Sequence, residues 1–204
     1  MTSDFEKIIY SDEVIAFTTL ANEYCRYIDG IALYSQCDFV DKMHRLLPLI
    51  YVKTLSIPSV EPVDPDFIEK SVTQEEWETV QQAVHQKLNK YDAYSEPLDP
   101  LQRAADSMTS LSEGFADIYQ DLKDYLVLMS IGSPEMMNDA IAECVNNFRE
   151  YWGQRLVNIM RVLHHLQYGG IALDTTDKYV AKPIDERPSW ERNGNNHQGN
   201  YWNE

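Results

Sequence analysis

Positive charge is scarce in this chain. Its 204 residues carry 17 Lys+Arg against 33 Asp+Glu, a formal net charge of −16. That deficit argues against tight binding to bare nucleic acid, which draws on Lys and Arg to displace counterions from phosphates, and against attraction to an anionic bilayer. Long apolar runs are missing too. The longest, residues 46–52, is interrupted by Pro48, whereas a membrane span needs about 20 apolar residues. The opening MTSDFEKIIY has no cationic stretch leading into an apolar one, so no secretory signal is expected. Cysteine is sparse: Cys25, Cys37 and Cys144 are scattered and odd in number, which suits reduced thiols in a cytoplasm. The chain contains no GxGxxG, no Walker loop, no GxSxG, no HExxH and no CxxC pair. What it does have is core-forming material, 44% hydrophobic and 11% aromatic, enough for a folded domain.

The apolar residues repeat at helical spacing nearly throughout. Val14, Phe17, Ala21, Tyr24 and Ile28 predict a first helix over residues 11–29, stopped at Gly30. Phe39, Met43, Leu46, Leu47 and Ile50 predict a second over 35–55, bent at Pro48. Pro58, Pro62 and Pro65 make residues 56–66 an extended connector. Thr73-Gln74-Glu75-Glu76 is a capping box that opens a third helix, with Trp77, Val80, Val84, Leu88 and Tyr91 along one side. A loop over 92–100 leads to a fourth helix over 101–130, built on Met108, Leu111, Phe115, Ile118, Leu122, Tyr125 and Met129. Gly132-Ser133-Pro134 ends it, with Ser133 as the expected cap of a fifth helix over 134–167. No strand alternation is evident. The expected fold is all-α, a bundle of about five helices with near-antiparallel helices four and five at its centre. Residues 1–168 would form this domain. Residues 169–204, polar and short of aliphatics, would form a loosely ordered tail, held at most by Trp190 or Trp202.

Three features bear on chemistry. Asp41-Lys42-Met43-His44 is the chain's acid-x-x-His, whereas a di-metal bundle needs two, so it reads as a partly exposed helical histidine. His164 and His165 point about 100° apart on a helix and suit its negative C-terminal end. Ten acids crowd residues 92–139, opposed by Arg103 and Lys123. Helical projection places Glu113, Asp117 and Asp124 on a solvated face, with Asp121 at its border. Arg155 is the informative position. Projected with Phe148, Trp152, Ile159 and Leu166, it falls on the inner stripe, where a guanidinium must find a partner; Asp121 is the expected one. Gly114 and Gly153 would let the two helices approach, and Tyr119 could add a hydroxyl.

The stretch 110–123, SLSEGFADIYQDLK, followed by NFREYWG over 147–153 and RVLH over 161–164, resembles the bacterial domain-of-unknown-function family numbered 5063. Asp117, Ile118, Tyr119, Asp121, Leu122, Phe148, Trp152, Gly153 and His164 sit on matching positions. Glu113-Gly114 replaces an acidic pair of that family's pattern, and Arg155 replaces a histidine. The resemblance implies an all-helical cytoplasmic protein and implies no reaction. The reading favoured from sequence is a non-enzymatic module that binds a cationic protein partner through its acidic face, without nucleic acid, membrane, cofactor or metal. The rival is a small-ligand or metal pocket between helices four and five, using Asp117, Tyr119, Asp121, Trp152, Arg155 and His164. No catalytic residue is assigned, and the oligomeric state is not legible.

Overall fold

The computed structural model describes residues 4–64, 70–97 and 106–176. Its helices are α1 (Asp4–Ile9), α2 (Asp12–Asp29), α3 (Gln36–Ser56), α4 (Gln74–Leu88), α5 (Leu111–Ile131), α6 (Pro134–Asn147) and α7 (Gly153–Tyr168). A π-helical turn, Phe148–Trp152, joins α6 to α7. Two short strands, β1 (Ala93–Pro97) and β2 (Asp106–Ser110), pair antiparallel. The fold is all-α with this one small hairpin. Among the described residues, no helix is long and apolar enough to cross a membrane.

Caps fix most boundaries. Ser11 and Ser35 each accept an amide of the first turn of α2 and α3. Thr73 and Glu76 close the capping box at α4 in both directions. Ser133 departs from expectation: its hydroxyl donates to the Glu135 carboxylate and leaves the first amides of α6 uncapped by a side chain. Between α3 and α4 the chain is irregular, as three prolines require. Asp139, on α6, anchors this connector by accepting the Val63 and Asp64 amides at 2.6 and 2.8 Å.

The fourth helix begins later than its apolar spacing suggests. Residues 106–110 are strand, not helix, and residues 101–105 lie outside the described residues. The buried Asp92 carboxylate decides this. It accepts the Ser112 amide at 2.7 Å and the Ser112 hydroxyl at 2.8 Å, and it also pairs with His85 Nδ1 at 2.7 Å. Those bonds cap α5 at its first turn, and Ser110 adds another by accepting the Glu113 amide. Met108, apparently a helical stripe residue, is 70% exposed on the hairpin.

Helix α5 lies at the centre, packed against α2, α4, α6 and α7; α3 packs on α2 and α7. Phe115 meets Tyr24 and Phe39, while Tyr125 meets Phe17 edge-on. Each such ring contributes on the order of 1.5–3 kcal/mol by leaving water. Beyond α7, Ile171 and Leu173 pack on the core, and the Asp174 carbonyl accepts the Cys37 amide. Trp190 and Trp202 lie outside the described residues.

The π turn sets the phase of everything after it. An uninterrupted helix would carry the stripe from Phe148 to position 155. One extra residue in the turn moves it to Leu156, so Leu156 and Ile159 are fully buried and Arg155 is displaced to the rim. Gly153 is tied to this turn rather than to a close approach of helices. Its amide bonds back to the Phe148 carbonyl, and a Cβ there would stand 2.4 Å from that same oxygen. Gly114 does permit a close approach, since a Cβ would lie 3.0 Å from Ile159 Cδ1. A glycine-to-alanine change inside a helix ordinarily stabilises by about 1 kcal/mol. At position 153 the sign is expected to reverse. In urea unfolding, Gly153→Ala should lose about 1–3 kcal/mol through backbone overlap, and an unchanged or raised midpoint would contradict the assignment.

Candidate functional site

Asp117, Asp121 and Asp124 stand one turn apart along α5 and face the seam with α6, the π turn and the start of α4. Of the expected solvated face only Glu113 is exposed; neighbouring elements cover Asp117 and Asp124. Asp117 Oδ1 accepts the indole N–H of Trp77 at 3.1 Å, and its Oδ2 accepts the Tyr151 hydroxyl at 2.7 Å. Arg155 Nε is 3.6 Å from the same Oδ2, and the guanidinium also lies over the Tyr151 ring at 5.3 Å. Asp121 Oδ1 accepts Asn147 Nδ2 at 2.7 Å. Asp124, 4% exposed, receives the Ser71 amide, the Ser71 hydroxyl and the Val72 amide on Oδ1. Its Oδ2 has Lys70 Nζ at 4.0 Å, and that ammonium is closer to Glu143, at 3.3 Å.

Arg155 is therefore paired with an α5 carboxylate, but the carboxylate is Asp117 and not Asp121. The register explains the difference. Counting outward from Pro134, Asp121 and Asn147 are equally distant, and so are Asp117 and Tyr151. Each acid meets the side chain at its own level. Asp121 is already occupied by Asn147, and Arg155, turned to the rim, reaches the nearest remaining acid.

The other sequence-nominated residues are elsewhere. Trp152 is wholly buried, and its indole N–H donates to the Cys144 carbonyl at 3.1 Å. Tyr119 projects from α5 away from the seam and donates to Asp29 Oδ1 at 2.7 Å. Burial, then that hydrogen bond, hold its hydroxyl well above the usual phenol range. His164 is exposed near the far end of α7, against His44 of α3. The seam residues that sequence reasoning missed are Trp77, Asn147, Tyr151 and Ser71. For Asn147 and Tyr151 the signal was available in the equal count about the 132–134 turn.

Space beside Asp121 and Asp124 is small, although a hollow of about 540 Å³ opens further along between α5 and α6, lined by Leu128, Ile131, Met136 and Asp139. The hollow bounded by Asp121, Asp124, Glu143, Asn147 and Lys70 measures about 10 Å³, the size of one water and too little for an organic ligand. The neighbouring thiol is inert: burial raises Cys144 well above its normal pKa, and burial likewise pushes Cys25 up to about 12. Among the described residues, no three His, Cys, Asp or Glu side chains form a group able to hold a metal ion.

A second hollow, about 330 Å³ and open to solvent, lies where α2 ends and α4 begins. Seven residues line it, and three of them, Asp29, Glu75 and Glu76, are carboxylates. The backbone amide and hydroxyl of Thr73 hold the Glu76 carboxyl below the usual range, which keeps it charged.

The family model described as Domain of unknown function (DUF5063) matches residues 8–169. The chain belongs to this family. Protein BF1032 from Bacteroides fragilis, solved by crystallography, is similar to this DUF5063 chain at 35% identity and a TM-score of 0.72, covering 81% of this chain and 98% of its own. No curated protein matches the chain. The DUF5063 match spans every residue of the acid seam, and neither finding attaches a reaction to it.

Asp121 supplies a pH test of the seam. Burial, the largest cause, raises its carboxyl to about 6, against the opposing pull of Asn147 and Lys70. A carboxyl raised above its unfolded value of about 3.9 favours the folded state at low pH, and that advantage is lost as pH rises from about 4 to 6. Asp121→Asn keeps an acceptor for Asn147 and removes the charge. It should stabilise the protein by on the order of 1–3 kcal/mol at pH 8 and by little at pH 4. Equal effects at both values, read from urea unfolding curves, would refute the shift.

Proposed function

We propose that this DUF5063 protein is a non-enzymatic interaction module whose acidic hollow, between the end of α2 and the first turn of α4, receives a Lys or Arg side chain of a protein partner. The observation that carries this reading is the division of the acids. Those of the α5 seam are held by fixed donors inside the bundle. Glu75, Glu76 and Asp29 gather at an open hollow of about 330 Å³; Glu75 and Glu76 are exposed, Glu76 also closes the Thr73 capping box, and Asp29 is shared with Tyr119 and Lys123. The hollow, about 330 Å³, is wide enough for one long basic side chain. The chain's net charge of −16 would steer a cationic partner toward it. The hollow beside Asp121 and Asp124, about 10 Å³, is too small for the rival small-ligand pocket.

The test is an NMR titration of the labelled protein with a short Arg/Lys-rich peptide at low and high salt. Amide shifts should concentrate at Asp29, Thr73, Glu75, Glu76 and Tyr119. Raised salt should weaken binding, and Glu75→Lys should weaken it at least about fivefold, the effect of roughly 1 kcal/mol. Shifts spread evenly over the acidic surface, and indifferent to Glu75→Lys, would overturn the proposal.

A further inference from the structure

Two histidine motifs that look unrelated in sequence meet in space. Asp41-Lys42-Met43-His44 lies on α3 and His164 on α7, and the two helices pack together. The ring centroids of His44 and His164 are 5.5 Å apart, with 46° between planes. Tyr168 packs against both rings, 4.9 Å from His164 and 5.5 Å from His44. His44 is half-buried and His164 exposed, so solvent reaches the pair. No hydrogen bond from either imidazole to another described residue is formed, which leaves their nitrogens free to bind. Asp41, one turn before His44, accepts both Arg45 nitrogens and stands 3.5 Å from Gln167 Nε2, which places a carboxylate at the same seam.

We propose that His44 and His164 form a two-histidine site for a borderline transition-metal ion such as Zn²⁺, clamping α3 to α7. Metal–nitrogen bonds of about 2.0–2.1 Å put two imidazoles on one tetrahedral ion with their centroids roughly 5 Å apart. The rings already stand at nearly that separation, 5.5 Å, so side-chain rotation can turn a nitrogen of each toward one ion. Neutral imidazole is the ligand such ions favour. Solvent supplies the remaining positions; Asp41, one turn away, is paired with Arg45 and takes no part. His165, adjacent in sequence, points to a different side of α7 and takes no part. A site with two protein ligands and open positions binds an ion without being a buried structural centre. This proposal is independent of the acidic hollow.

Zn²⁺ is titrated into the untagged full chain while histidine ring signals are followed by NMR, with affinity measured against a competing chromophoric chelator. The His44 and His164 ring signals should shift together, while those of His85, His165 and His197 hold. His44→Gln and His164→Gln should each lower affinity at least about tenfold, on the scale by which ligand-shell changes act. The double variant should lose little more than either single one, and His165→Gln should match the wild type. Static His44 and His164 signals at saturating Zn²⁺ would overturn the proposal, as would wild-type affinity in His44→Gln. The ring signals are read on the wild-type protein, so this outcome does not depend on how the variants fold.

Discussion

A helix packed by four others cannot carry free carboxylates on its covered faces. Helix α5 is packed by α2, α4, α6 and α7, yet it bears Asp117, Asp121 and Asp124. Moving an ionised carboxylate out of water costs several kcal/mol unless donors replace the lost solvation. The surrounding elements supply those donors: an indole and a phenol from α4 and the π turn, an amide side chain from α6, and backbone N–H groups from residues 71 and 72. The bundle's specificity follows. Only one register of α5 against α6 brings Asn147 to Asp121 and Tyr151 to Asp117, so a slip along the seam would leave buried charge without partners.

The π turn reconciles two demands on the chain after α6. Tyr151 must reach Asp117, and the following stripe must still bury Leu156 and Ile159 against α5. A regular helix would have turned Arg155 into the core instead. The extra residue rotates it to the rim, where one oxygen of Asp117 and the Tyr151 ring receive it while part of the guanidinium stays in water. Gly153 makes this possible, since its missing Cβ is the space into which the Phe148 carbonyl projects.

Helices with local signals were legible in the sequence. Ser11, Ser35 and Thr73 mark their helix starts by chemistry confined to four residues, and the proline connector is equally local. The late start of α5 was missed although its N-cap, Ser110, is local; the second cap, from Asp92 across the hairpin, was not legible. Met108 fits a helical stripe by spacing and is exposed in fact, so periodicity alone misled there. The π turn was hidden for a related reason: with or without one inserted residue, a three-and-four pattern continues past Trp152. That ambiguity mis-phased Arg155 and, with it, the expected Asp121 pairing. Asp117, Asp121 and Arg155, grouped from sequence in the rival pocket between the two long helices, lie along the α5 seam, although Asp117 was expected on a solvated face. Tyr119 and His164 were grouped with them by motif, although α5 and α7 carry them to different faces. The family resemblance read from residues 110–164 held across the wider match to residues 8–169.

The acids of this protein thus divide by position into those covered by neighbouring elements along α5 and those that face open water. The most direct test of that division is a double-mutant cycle between Asp117→Asn and Tyr151→Phe, measured by urea unfolding. A carboxylate held inside by its neighbours gives a coupling of about 1–2 kcal/mol between the two changes. Additivity to within about 0.3 kcal/mol would mean that Asp117 is solvated rather than held, and would contradict the account.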